Sequence, residues 1–219
     1  MLSSIVWFYL EFIFNHTYSS PLIPVWNAIV RLTFFLIVSV LLSKLKQSLT
    51  HEQQLARTDN LTGAANSRFF YELLQIEINR TQRYQIPLTI IYVDLDNFKM
   101  VNDKFGHAKG DLTLKIVVDY LEQNLRKSDT IARLGGDEFA ILMRDTNQQV
   151  AKVILSRIQA GLVKEMEAYE LPISVSMGAL TYNHSPITLH ELITIADNLM
   201  YEVKKSGKNA IKYGTYPLE

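Results

Sequence analysis

Asp94 and Asp137 are the residues around which the chemistry of this chain can be built. Asp94 follows the apolar, β-branched run PLTIIYV at Pro87–Val93, and Asp137 follows Gly135-Gly136 between two strand-like segments. The chain has no cysteine and only five scattered histidines, so any metal must be held by oxygen or imidazole, and oxygen is favoured. Two carboxylates with open positions suit Mg²⁺, which keeps several waters and takes phosphate oxygens as further ligands. The glycine pair lets backbone approach a ligand where a Cβ would intrude. Taken singly, Asp94 is an ordinary strand-end carboxylate capping the next turn, and Asp137 a solvated hairpin tip. Together with the segment Asp94–Asp111 they read as a site.

The elements that must bring them together are legible in the hydrophobic period. Ser67–Arg83 places Phe70, Leu73, Leu74 and Ile78 on one helical face. Pro87–Val93 is too short for a helix and suits a central buried strand. Leu114, Val117, Val118, Leu121 and Leu125 mark a second amphipathic helix. Thr130–Leu134 and Glu138–Met143 flank the glycine pair as a hairpin. Gln148–Val163 predicts a helix, Ile173–Tyr182 a strand, Leu189–Lys205 a last helix and Ala210–Tyr213 a short closing strand. From Pro87 onward the order is β-α-β-β-α-β, the ferredoxin-like pattern of an α+β domain, with an extra N-terminal helix and a C-terminal helix–strand unit. In that topology the first strand lies beside the hairpin, so Asp94 and Asp137 converge at one edge of the sheet. His107 is expected to be structural, in the loop after Gly106.

Four segments carry a family resemblance: TDNLTGAANSRFF at Thr58–Phe70, DLDNFKMVNDKFGHAKGD at Asp94–Asp111, RLGGDEF at Arg133–Phe139 and YEVKKSGKNA at Tyr201–Ala210. Together they resemble the GGDEF family of diguanylate cyclases over about Thr58–Tyr213. The resemblance implies a palm-type cyclase domain that condenses two GTP into cyclic di-GMP and two pyrophosphates, acts as a homodimer and uses Mg²⁺ or Mn²⁺. It implies that Asp94, the Leu95 carbonyl and Asp137 hold metal, that Asp137 also assists deprotonation of the attacking 3′-hydroxyl, and that Glu138 is a further catalytic candidate. Asn102 and Asp111 match the guanine-recognising pair. Lys99, Lys204 and Lys208, with backbone amides around Asn97 and Phe98, match phosphate contacts.

Residue chemistry agrees with these roles. Guanine presents N1–H and N2–H donors side by side, which one ionised carboxylate accepts together, whereas adenine offers a bare acceptor there. Asp111 therefore argues against a related cyclase using ATP. Phosphoryl transfer needs positioning and charge neutralisation, which carboxylate-held cations and lysines supply. Lys204 and Lys208 bracket an expected helix end at Gly207; their other reading is pairing with the helix C-terminal dipole.

A second constellation, Arg126-Lys127-Ser128-Asp129, matches the family's RxxD inhibitory site, with Thr130–Leu134 spacing it from Gly135. The resemblance implies that product binds there, with Arg126 gripping guanine edges or phosphates, Asp129 accepting guanine N–H groups, and Arg157 joining from the next helix. The ordinary reading is an arginine near a helix C-terminus and an aspartate opening a strand turn. Ala64 and Ser67 depart from the family's usual Leu and Arg, and Lys208 stands where an Arg is frequent.

The chain of 219 residues carries 22 basic and 22 acidic residues, a balance that argues against a basic nucleic-acid binder. Only Glu11 and Arg31 are charged before Lys44. Ile23–Leu42 has the 20-residue length of a membrane-spanning helix, with Trp26 near one end and Lys44 and Lys46 directly after it. The alternative is a buried amphipathic helix. Met1–Phe14 is apolar but a poor signal peptide, suiting an interfacial segment or part of another span, and His16–Pro21 a polar connection. Leu42, Leu45 and Leu49 step along one helical face before Glu52 and Gln53 interrupt it, which suits either a short two-stranded coil or a solvated linker helix. The expected organisation is an apolar segment at 1–22, a transmembrane helix at 23–43, a stalk at 44–57 and a cyclase domain at 58–215. The expected location is the inner membrane, with the cyclase domain in the cytoplasm. The rival reading is a catalytically silent domain that senses GTP or cyclic di-GMP.

Overall fold

The computed structural model describes residues 22–55 and 57–217. The chain divides at Ala56 and Arg57 into two compact units. In the first, helix α1 runs unbroken over Leu22–Leu55. Val25–Gln47 within it has a mean hydropathy of 2.1, is long and apolar enough to cross a membrane, and is not buried within the protein. Thr33 donates its hydroxyl to Ile29 O at 2.8 Å, so this polar group is satisfied inside the helix. Leu42 and Leu45 are exposed. The expected segments Met1–Phe14 and His16–Pro21, and the Leu49 side chain of the stalk stripe, lie outside the described residues.

The second unit is built on a six-stranded sheet. Its elements are β1 (Ala65–Asn66), α2 (Ser67–Tyr84), β2 (Leu88–Asp96), α3 (Phe98–Phe105), α4 (His107–Asn124), β3 (Thr130–Gly135), β4 (Glu138–Met143), α5 (Gln148–Ala168), β5 (Ser174–Tyr182), α6 (Leu189–Lys205) and β6 (Ile211–Tyr216). The strand order is β1-β3-β4-β2-β5-β6. β2 pairs antiparallel with β4 and β5, while β1 and β6 are added in parallel at the two edges. The four inner strands are the ferredoxin-like set, as the element order implied.

β2 is buried at all nine positions because helices cover both faces of the sheet. Ile91, Val93 and Leu95 pack with Val101, Val117 and Leu121 and with Leu155 and Ile158 of α5. Ile90 and Tyr92 turn the other way, onto Phe70 and Leu74 of α2 and Leu192 and Ala196 of α6. Alternate residues of a strand point to opposite faces, so a continuous apolar run buries both. Each fully buried Leu or Ile contributes about 1.5–3 kcal/mol. Gly178 of β5 is required by close approach: a Cβ there would lie 2.3 Å from Ala196 O and from Met200 N. α6 therefore rides directly on the sheet, which delivers its last turn to the end of β2.

Several boundaries differ from expectation. β2 continues past Val93 to Asp96, because Asp94 keeps ladder partners in Glu138 and Ser176, and Asp96 in Ser174. Asp94 thus lies inside the strand. Since β2 and β4 are central, the two acidic residues meet at a strand end in the middle of the sheet and not at its edge. His107 opens α4 and does not sit in a loop. α5 runs on to Ala168, and β6 runs to Tyr216 because it pairs with β5 as far as Tyr182. α3 and the two-residue β1 are elements that the hydrophobic period does not announce.

Candidate active site

A cleft of about 840 Å³ opens where β2 ends, lined by Asp94, Asp137, Glu138, Lys204 and Lys208 together with the start of α3. Asp94 and Glu138 face each other across the β2–β4 ladder. The turn before Glu138 folds back so that Leu95 N–H donates to Asp137 O at 3.2 Å. Gly136, at φ 53°, supplies the left-handed backbone this turn needs. From α6, Lys204 Nζ donates to Asp94 Oδ2 at 2.6 Å, a charge-assisted contact. Lys204 therefore reaches a carboxylate as well as standing at a helix C-terminus.

The electrostatics follow from this crowding. Burial lifts the Asp94 carboxyl above the ordinary carboxylate range; Lys204 opposes the lift, and the Asp137 and Asp96 charges add to it. Glu138 is raised for the same first reason, burial, with the Asp94 charge next. Burial works against the Lys204 ammonium, but the hydrogen bond and charge of Asp94 outweigh it, so this lysine is held above its usual range.

Among the described residues, no three His, Cys, Asp or Glu side chains form a ready metal cage. What the cleft offers is the Asp94, Asp137 and Glu138 carboxylates beside Leu95, with acidic side chains outnumbering the one lysine in contact with Asp94. This partial oxygen set with surplus negative charge fits a divalent ion that retains waters and phosphate oxygens.

The phosphate candidates converge on the same cleft. Asn97, Phe98 and Lys99 line it, and Lys208 Nζ donates to Asn97 Oδ1 at 3.3 Å. Asn97 adopts φ 65° as it leads into α3. Met100, Asp103 and Lys104 also line the cleft and were not singled out in the sequence. Asn102 and Asp111 do not line it. Asn102 lies where α3 packs against α4: a Cβ on Gly110 would fall 1.9 Å from Asn102 Oδ1, so the Asn102 amide rests on the glycine that precedes Asp111 in the chain.

The glycine turn is braced from the opposite side. Arg133 donates from Nε and Nη2 to Gly136 O, at 3.0 and 2.8 Å, and from Nη1 to Asp59 Oδ1 at 3.2 Å. Asp59 Oδ1 also accepts from Thr62 N–H at 2.9 Å and from the Thr62 hydroxyl at 2.7 Å. Burial pushes Asp59 up, but the Thr62 donors and Arg133 prevail and hold it below the ordinary range. Neither Asp59 nor Arg133 was assigned a role from sequence, although both lie in the family motifs.

A second pocket, of about 640 Å³, is lined by Arg57, Phe69, Glu122, Arg126 and Asp129 among others. The RKSD segment closes on itself: Arg126 N–H donates to Asp129 Oδ2 at 3.1 Å, and Asp129 N–H to Arg126 O at 2.9 Å. Burial lifts the Asp129 carboxyl, against the pull of the Arg126 amide and charge. Arg157 does not line this pocket; its Nη2 donates to Asn124 O at 3.1 Å, at the end of α4.

Residues 56–210 match the family described as diguanylate cyclase, GGDEF domain. The chain belongs to the GGDEF diguanylate cyclase family, as its motifs implied. It is 32% identical over 164 residues to the probable diguanylate cyclase DgcT of Escherichia coli K12, covering 73% of this chain and 36% of that protein. It is 36% identical over 173 residues to the bifunctional diguanylate cyclase/cyclic di-GMP phosphodiesterase MucR of Pseudomonas aeruginosa, covering 78% of this chain and 25% of the relative. The chain thus spans about a quarter to a third of the length of these relatives. Among solved structures it resembles a microbial GGDEF domain described for its interaction with bis-(3′,5′)-cyclic di-GMP. That likeness has a TM-score of 0.66 and 32% identity, over 74% of this chain and 98% of that one.

Proposed function

We propose that this chain is a membrane-tethered diguanylate cyclase that condenses two GTP into cyclic di-GMP. The observation that carries the reading is the single cleft in which Asp94, Asp137 and Glu138 meet Lys204, Lys208 and Lys99. Asp111 and Asn102 hold the guanine edge, which places the triphosphate along α3 toward the lysines. The Lys99, Lys204 and Lys208 ammonium groups neutralise the phosphates, and Lys204 leaves Asp94 to do so. When bound at Asp94, the Leu95 carbonyl and Asp137, Mg²⁺ or Mn²⁺ supplies further neutralisation of the phosphates and of the developing alkoxide. The 3′-oxygen of one nucleotide bonds to the α-phosphorus of the other, the bond to the β-bridging oxygen breaks, and pyrophosphate leaves with the electron pair. Asp137 assists removal of the hydroxyl proton.

One domain holds one GTP, so each 3′-hydroxyl must come from a second copy, and the active species is an antiparallel homodimer. The activities for which DgcT and MucR are named, and the cyclic di-GMP interaction described for the solved domain, support this substrate and product. The pocket beside Arg126 and Asp129 is read as the product-inhibition site. Val25–Gln47 is read as the membrane anchor, with Lys44 and Lys46 keeping the cyclase unit in the cytoplasm.

The test is incubation of the purified full chain with GTP and Mg²⁺, followed by mass spectrometry for cyclic di-GMP. Asp137→Ala should remain folded and lose turnover by at least about a hundredfold, the scale at which loss of a charge-stabilising group is felt. Nucleotide binding without any product from the unaltered chain would replace the enzyme with a sensor.

A further inference from the structure

We propose that Asp96 is a positioning residue that holds Lys208 over the cleft, acting through the turn between α6 and β6. The inference rests on the reading of the cleft as a guanosine triphosphate site. Gly207, Lys208 and Asn209 occupy three successive positive φ values, 119°, 65° and 47°. Side chains other than glycine are disfavoured there, and two in a row persist only where the surroundings over-determine them. The restraint is visible. Asn209 N–H donates to Asp96 Oδ2 at 3.1 Å, and Lys208 N–H donates to Val203 O at 3.0 Å. Gln159 Nε2 donates to Asn209 Oδ1 at 3.2 Å.

Asp96 is itself fixed. It is 2% exposed, accepts from the Ser174 hydroxyl on Oδ2 and from the Ser176 hydroxyl on Oδ1, both at 2.8 Å, and takes only neutral donors in these three bonds. A carboxylate buried among two hydroxyls and one amide is costly as a charge and useful as an acceptor-only hub. The next residue, Asn97, receives Lys208 Nζ on its side chain. Asp96 and Asn97 therefore grip the turn twice, once by the Asn209 backbone and once by the Lys208 ammonium. With Asp96 in place the strained turn cannot relax, and Lys208 stays beside the cleft before any phosphate arrives.

The experiment is a double-mutant cycle on the full chain in detergent, reading affinity for 3′-deoxyguanosine triphosphate with Mg²⁺, a nucleotide that cannot condense. Asp96→Ala and Lys208→Ala should each weaken binding by about fivefold to tenfold, and the double variant no further, because both remove one interaction. Asp96→Asn keeps an oxygen for Asn209 N–H and should bind within about twofold of the unaltered chain. Additive losses, or unchanged affinity in a folded Asp96→Ala protein, would overturn the proposal. Should Asp96→Ala not fold, the Ser174→Ala/Ser176→Ala pair takes its place in the cycle. Amide exchange at Asn209 separates this proposal from the reading of the cleft. If the unaltered chain binds no nucleotide, that reading fails, while faster exchange in Asp96→Ala upholds the grip of Asp96 on the turn and unchanged exchange removes it.

Discussion

Gly110 shows how one missing methyl group can separate stability from recognition. It lies inside α4, where glycine costs roughly 0.5–1 kcal/mol relative to alanine. The atom an added Cβ would strike first is Asn102 Oδ1, the free end of a rotatable side chain. Gly110→Ala should therefore leave the unfolding temperature unchanged or slightly raised, while GTP affinity drops about tenfold as the Asn102 amide turns away. Calorimetry beside a thermal melt checks both halves, and undiminished affinity would detach Asn102 from guanine. Arg126→Ala should relieve inhibition by added cyclic di-GMP; an unchanged inhibition curve would leave RKSD as a self-closed turn and nothing more. Asp94, Asp137 and Lys204 could be singled out at this scale because they fall within short motifs, and they line one cleft. Asp96 could not be, because its partners Ser174, Ser176 and Asn209 lie 78, 80 and 113 positions away and only the folded sheet collects them.

Among the elements, the loop Asp59–Thr62 and the hairpin β3–β4 act as one piece through Arg133. Asp59 is held below the ordinary carboxylate range, so its ionised form stabilises the fold. That contribution is complete above the unfolded carboxylate value of about 3.9 and disappears as pH falls through the lower folded value. Asp59→Asn should lower the unfolding temperature by about 2–4 °C at neutral pH, the effect of about 1 kcal/mol in a unit of this size. The gap from the unaltered chain should stay constant down to the ordinary carboxylate range and close below it. A gap that narrows already near neutrality would assign the stabilisation to another group. The helices of the second unit were legible because they bury periodic faces, and α6 is bounded as expected because Thr188 and Glu191 form a capping box. β1 is invisible to such reasoning because two residues show no period. β2 reads short in the sequence because Asp94 and Asp96 look like the end of a strand, although their ladder partners carry it on.

For the whole molecule, the order of elements was enough to place the hairpin beside the first strand, since few topologies satisfy β-α-β-β-α-β. The closing strand β6 was legible as part of a helix–strand unit, but its parallel place beside β5, and β1 altogether, were not, because the order of elements does not say which edge an added strand joins. The proposed anchor makes its own prediction: the full chain should sediment with membranes, and a chain lacking residues 1–43 should not. A truncated protein that still sediments would transfer the attachment to the GGDEF unit. The centre of the sheet has a further cost, incurred before the fold exists. Leu88 pairs with Tyr182 and Thr89 with Met143, so the strand buried at every position leaves the ribosome well ahead of both its neighbours. Until they arrive it offers two open flanks to any other nascent chain, and closure across such distances is slow. Premature stops ahead of Ser174 should yield aggregates and not a smaller domain, and a soluble folded fragment on expression would refute this.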